Sequence, residues 1–246
     1  MVRLMMFAPL GDAAVVVTLG RDIDDATMVR VRALVRSLER ANESGIVDVV
    51  PAYTTVTVYY DAGAWGAGDR PVFVRVCDVI GRHVEKAEHA WPDVVPAKLE
   101  GEAVVREEGT PVEIPVCYGG EYGPDLEEVA AYCGLGGDEV VALHSGADYV
   151  VHAVGFAPGF AYLGGLPEKL RTPRKATPRT RVPAGSVGIG WMQTGIYPLE
   201  TPGGWQLIGR TPLVLFDSGR ATPALLSVGD RVKFRAIGAE EFAAWK

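Results

Sequence analysis

A chain of 246 residues, 48% apolar and 22% charged, has the composition of a soluble globular protein and room for one large or two modest domains. Its formal net charge of −7 argues against a general nucleic-acid binder, which needs a broad basic surface to neutralise phosphates. Cys77, Cys117 and Cys133 are odd in number and widely spaced, which suits reduced thiols in a cytoplasmic protein better than a disulfide framework or a zinc site. No run approaches the roughly 18 apolar residues of a membrane span, so no membrane association is expected.

The opening "MVRLMMFAPLGD" is apolar enough to raise a signal peptide, but Gly11 and Asp12 end the run and the stretch from Ala13 to Leu19 reads better as a first strand. "DIDDATMVRVRALVRSLERA" then sets Met28, Val31, Leu34, Val35 and Leu38 at helical spacing behind an acidic first turn. In "GIVDVVPAYTTVTVYYD", Pro51 splits two β-rich stretches. In the second, Thr55, Thr57 and Tyr59 alternate with Val56, Val58 and Tyr60 as a half-buried strand requires. "PVFVRVCDVIGRHVEKAEHAW" returns to helical spacing through Val72, Val76, Val79, Ile80 and Val84, with Pro71 at the first helical position and His83 and His89 on a charged, solvated face. The order β-α-β-β-α predicts a small ferredoxin-like α/β sandwich, completed by a strand that the pattern does not place.

Between Trp91 and Pro111 three prolines and several charges interrupt any period, which marks a domain boundary. The expected division is 1–95 as the small α/β domain, 96–111 as linker and 112–246 as a second domain. "VEIPVCYGG" reads as a strand, and "PDLEEVAAYCGLGG" and "GDEVVALHSGA" as short helices closed by glycine. From Asp148 short apolar runs alternate with Gly and Pro: "YVVHAVGF", "VGIGWM", "WQLIGR", "PLVLFD" and "DRVKFRAIG", the signature of a β-barrel or sandwich. Eleven of the 30 glycines and eight of the 17 prolines fall between Gly155 and Pro212, so an unusual backbone path is concentrated there.

Familiar chemical signatures fail. There is no phosphate-loop motif, "GSVGIG" lacks the spacing of a dinucleotide fingerprint, Ser186 is a turn serine rather than a nucleophile, and the four histidines lack metal-ligand spacing. His152, within "YVVHAV", reads as a packed or barrel-lining side chain. What stands out is a basic run, Lys169, Arg171, Arg174, Lys175, Arg179 and Arg181, threaded by Pro173, Pro178 and Pro183. Its bland explanation is a solvated loop. Its sharper one is that Arg179 or Arg181, feeding directly into the glycine-rich strand, closes over a carboxylate or phosphate, for which a planar guanidinium fork is suited. Phe156, Phe160 and Tyr162 around Pro158, together with Tyr197 and Trp205, line either a buried turn or an aromatic-walled groove.

Four motifs in order, "IPVCYGGEYGPDLEEVA", "GFAPGFAYLGGLP", "TPRTRVPAGSVGIG" and "QTGIYPLETPGGWQLIGRTP", resemble the family that contains the 5-oxoprolinase B subunits, the kinase inhibitor KipI and allophanate hydrolase subunit 1. "GDAAVVVTLG" and "PAYTTVTVYYD" extend the resemblance to nearly the whole chain. The resemblance implies an α+β protein, the ferredoxin-like sandwich being followed by a cyclophilin-like β-barrel. It also implies a larger homologous partner subunit, with a third subunit in the 5-oxoprolinase complex that hydrolyses 5-oxo-L-proline to L-glutamate with ATP. The expectation is therefore a hydrolase subunit inactive alone, with a small-molecule substrate, no metal or biotin site, and an ATP site not located in this chain. Alternatives are a urea-type carboxyltransferase subunit and a histidine-kinase-binding protein without catalysis. No catalytic residue is assigned. Arg179, Arg181, Gln193, Thr194, Tyr197 and Arg210 are the candidates for substrate or anion binding, and Phe156, Pro158, Phe160, Tyr162 and Trp205 for a groove or partner surface.

Overall fold

The structure, a computed structural model, describes residues 5–90 and 110–245. The expected linker, 96–111, lies outside the described residues except for 110 and 111, as does the side chain of His89. The chain forms two compact units, Met1–Glu100 and Gly101–Lys246.

The first unit has strands β1 (Met6–Pro9), β2 (Ala14–Thr18), β3 (Ile46–Ala52) and β4 (Thr55–Tyr60), and helices α1 (Asp25–Ala41) and α2 (Val72–Ala90). The strands form an antiparallel sheet in the order β1-β2-β4-β3, in which β1 is a strand the sequence pattern did not place. Alternation places Val15 and Val17 of β2 and Val56, Val58 and Tyr60 of β4 on one face, against Val31, Leu34 and Leu38 of α1 and Val76, Ile80 and Val84 of α2. The Asp24 carboxylate caps α1 by accepting from the Thr27 amide at 2.7 Å, and Asn42 ends the helix in the left-handed region at φ 46°. His83 is a correction to the sequence expectation. It is buried where α1 and α2 meet, with Nδ1 2.8 Å from Ser37 Oγ and Nε2 3.1 Å from Glu43 Oε1. Its charged neighbours in sequence, Arg82, Glu85 and Lys86, lie on more open positions of the helix, so composition alone misplaces it.

The second unit contains a closed seven-stranded barrel. Its strands are β5 (Val112–Tyr118), β6 (Tyr149–Val154), β7 (Ala161–Gly164), β9 (Ser186–Gly190), β10 (Gln193–Ile196), β12 (Gln206–Arg210) and β13 (Arg231–Ile237). Their order is β6-β13-β5-β12-β9-β10-β7, and β7 pairs back onto β6 to close the ring. Only the β5–β13 pair is parallel among these pairings. A two-stranded ribbon, β8 (Arg179–Val182) with β11 (Thr201–Gly203), stands apart from the ring, and helices α3 (Leu126–Cys133), α4 (Gly137–Gly146) and α5 (Ala239–Ala244) complete the unit. Ile114, Val116, Val151, Leu163, Val187, Ile189, Ile196, Ile208 and Phe234 fill the barrel with Val129 of α3 and Val140 of α4. This closed barrel fits the expected cyclophilin-like form. "PLVLFD" does not form a regular strand: Pro212 removes an amide donor, Leu215 turns into the core, and one isolated bridge, Phe216 to Ala224, is made there. The short strands β7 and β10 escape the sequence pattern because glycine breaks their alternation.

Candidate functional site

Each of β7, β9, β10 and β12 shows the barrel one face and a second hydrophobic layer the other. Ala161, Leu163, Val187, Ile189, Ile196 and Ile208 point inward, whereas Phe160, Tyr197, Trp205 and Leu207 form a separate buried cluster with Val182 of β8. Between these inward residues the outer positions of β9 and β10 are glycines, and the Trp205 ring lies on them. A Cβ at Gly190 would stand 2.7 Å from the indole Nε1, and one at Gly195 would stand 2.9 Å from the Ala161 carbonyl oxygen and 3.0 Å from the indole. The glycine-rich hairpin is thus a flat seat for an aromatic side chain. Phe160 sits at the centre of the layer, edge-to-face with Tyr162 at 4.8 Å, Tyr197 at 5.1 Å and Trp205 at 5.6 Å between centroids.

The basic run borders this layer and meets a buried acid. Asp125, the residue before α3, accepts from Arg179 Nη2 at 2.7 Å and Lys175 Nζ at 3.0 Å through Oδ1, and from the Leu207 amide at 2.7 Å through Oδ2. Burial pushes the Asp125 pKa upward, but the Arg179, Leu207 and Lys175 hydrogen bonds overcome it and hold the carboxyl below its usual range. Lys175 also donates to Glu128 at 2.8 Å, and Gln206 Nε2 donates to the Pro173 carbonyl at 3.0 Å. The run from Pro173 to Arg179 is therefore clamped onto α3 and β12.

Inside the barrel lies a second polar array. Thr194 Oγ1 donates to the Gly188 carbonyl at 2.9 Å and so accepts from His144 Nε2–H at 2.9 Å, which leaves His144 Nδ1 to accept from the Tyr118 hydroxyl at 2.8 Å. Burial without a counter-charge pushes the His144 pKa down to about 3 and keeps the ring neutral.

Residues 5–226 match the family model for the carboxyltransferase domain, subdomain C and D. The 5-oxoprolinase B subunit of Bacillus subtilis is 42% identical over 96% of this chain and 95% of its own length. That of Escherichia coli O157:H7 is 45% identical over 92% of this chain and 93% of its own. The solved structure of TTHA0988 superposes with a TM-score of 0.73 at 36% identity, covering 92% of this chain, while this chain spans 40% of TTHA0988. The chain belongs to the carboxyltransferase subdomain C and D family.

The residues expected to form the site in this carboxyltransferase-family chain divide into three groups. Phe160, Tyr197 and Trp205 are buried in the outer aromatic layer, with half-buried Tyr162 and exposed Phe156 at its margin and Pro158 exposed in the same turn. Phe156 adopts φ 70° and meets Phe160 edge-to-face at 5.4 Å. Arg179 belongs to the Asp125 network, Arg181 is exposed and pairs with Glu200 at 2.8 Å, and Arg210 donates through Nε to the Ala184 carbonyl at 2.8 Å. Gln193 is half-buried at the start of β10, and Thr194 faces the barrel interior. The expectation that arginine closes over a carboxylate describes Arg179, but the carboxylate belongs to the chain itself. Asp125, Gln206 and the Tyr118–His144 pair do not stand out in the sequence as site residues, and Lys175 stands out only as one member of the basic run. The available signal is an acid at a helix start. Among the described residues no group of three or more His, Cys, Asp or Glu is placed to hold a metal ion, and no helix is long and apolar enough to cross a membrane.

Proposed function

We propose that this chain is a subunit of an ATP-dependent 5-oxoprolinase complex that opens 5-oxo-L-proline to L-glutamate, and that it is inactive alone. The observation that carries this is identity of 41 to 45% to three 5-oxoprolinase B subunits, each matched over nine-tenths or more of both chains. The proposed setting is the cytoplasm, with a larger homologous subunit and a third subunit as partners. The first unit is proposed as a ferredoxin-like sandwich in which β1 takes the edge usually given to a last strand.

The chain's contribution is a basic, aromatic-walled face between α3, the β8–β11 ribbon and β12. Hydrolysis of a lactam develops negative charge on its carbonyl oxygen, and fixed guanidinium and N–H donors stabilise such charge when they need not reorganise. Asp125 keeps Arg179 and Lys175 in place, and the aromatic layer behind them excludes water. The cations here do not fit a triphosphate, because Arg171, Lys175, Arg179 and Arg181 are each held by a carboxylate of the chain. In this reading the nucleotide accordingly belongs with a partner. The test is co-purification with the larger partner followed by 5-oxoproline-dependent ADP release. Dependence on urea and carboxybiotin, or binding of a kinase without turnover, contradicts the proposal.

A further inference from the structure

Four of the six basic side chains between Lys169 and Arg181 are spent on acids of the chain: Arg171 on Glu168, Lys175 on Asp125 and Glu128, Arg179 on Asp125, and Arg181 on Glu200. Arg174 is different. Its guanidinium lies over the Trp205 ring, with Cζ 5.6 Å from the centroid, it is exposed, and among the described residues it has no acidic partner.

Exposure does not leave it loosely held. The carbonyl before it, Pro173, accepts from Gln206 Nε2 at 3.0 Å, and the amide after it, Lys175, donates to the Gly204 carbonyl at 2.7 Å. The Thr172 carbonyl accepts from the Trp191 amide at 2.8 Å, so the segment is fixed from both sides of the Arg174 Cα. Its positive field acts on the phenols of Tyr162 and Tyr197, and Arg179 acts on Tyr197 too, so all four lie around one patch. Arg179 brings a further feature: Nη1 is buried and lacks a hydrogen-bond partner. A guanidinium lying over an indole, with its outer edge open to solvent, offers a planar fork that matches the paired oxygens of a carboxylate. A solvated surface arginine would need neither a pinned backbone nor an aromatic shelf.

We propose that Arg174 is the carboxylate anchor for a small acidic substrate, with the Trp205 ring beneath its guanidinium. This deepens and rests on the 5-oxoproline reading, whose substrate carries one carboxylate beside its lactam. The role is ground-state binding, so it separates from the ring-opening step.

The test compares wild-type, R174Q and R174K chains, each assembled with the larger partner, by steady-state kinetics on 5-oxoproline with ATP. R174Q is expected to raise KM about 10- to 100-fold, the factor that loss of a charge-assisted hydrogen-bond pair brings, with kcat kept within about twofold. R174K, which retains the charge but not the fork, is expected to recover part of that loss and supplies the comparison should R174Q fail to assemble. An active wild type whose KM is unmoved by either variant, or whose kcat alone falls, overturns the anchor and leaves the 5-oxoprolinase reading standing. A wild-type complex without 5-oxoproline turnover overturns both.

Discussion

Asp125 does more than any other single side chain to hold the outer face together. It is almost fully buried, yet it joins α3, β12 and the basic run because three donors converge on two oxygens. Removing one member of a buried charge set leaves the others desolvated without compensation, which costs more than the set itself contributes. Asp125→Ala is expected to lower unfolding free energy by about 3 kcal/mol, the lower end of that range because Lys175 and Arg179 keep some access to water, read as a reduced urea midpoint. A change below about 1 kcal/mol, typical of exposed pairs, contradicts this view. His144 gives a second, pH-dependent test. Its folded pKa of about 3 lies below its ordinary value of 6.5, so the unfolded chain takes up a proton before the folded chain does. Above pH 6.5 the residue leaves stability unchanged. As pH falls from 6.5 towards 3, stability drops by about 1.4 kcal/mol per pH unit from this group alone. Chemical denaturation of wild type and His144→Asn across about pH 7 to 5 measures it, and equal slopes in the two proteins sink the assignment.

The glycine-rich hairpin shows what is legible in the sequence at the scale of elements and what is hidden. Strands with polar and apolar alternation, such as β4, are read directly, because Val56, Val58 and Tyr60 face the helices while Thr55, Thr57 and Tyr59 do not. In β9 and β10 Val187, Ile189 and Ile196 face the barrel with Thr194, but Gly188, Gly190 and Gly195 on the outer side accommodate Trp205, so the polar-apolar period vanishes and glycine reads as turn. The aromatic residues stand out as a group, whereas their burial on the far side of the barrel wall does not, since no local pattern reports which layer covers a sheet's second face. The paired cations are hidden for a similar reason: Asp125 precedes Arg179 by 54 residues, and nothing near either points to the other. Gly190→Ala is expected to cost about 1–3 kcal/mol by overpacking and to shift tryptophan emission as the indole leaves its seat. An unchanged melting temperature and spectrum would show that the ring adjusts freely.

Across the whole molecule, the barrel unit closes its own ring of strands and so leaves no open sheet edge there to explain a need for a partner. What calls for one is chemical: a basic and aromatic face whose cations are largely neutralised by the chain's own acids, with one arginine to spare. In the proposed reading such a face orients a small anionic substrate and leaves the phosphate cradle to a partner. The decisive experiment is glutamate formation from 5-oxoproline and ATP by the larger partner preparation, with and without this chain. Glutamate with equimolar ADP is expected when the subunits are combined, and none from this chain alone. Turnover by the isolated chain, or a combined preparation that ignores 5-oxoproline, would overturn the assignment of this chain as a dependent part of a 5-oxoprolinase.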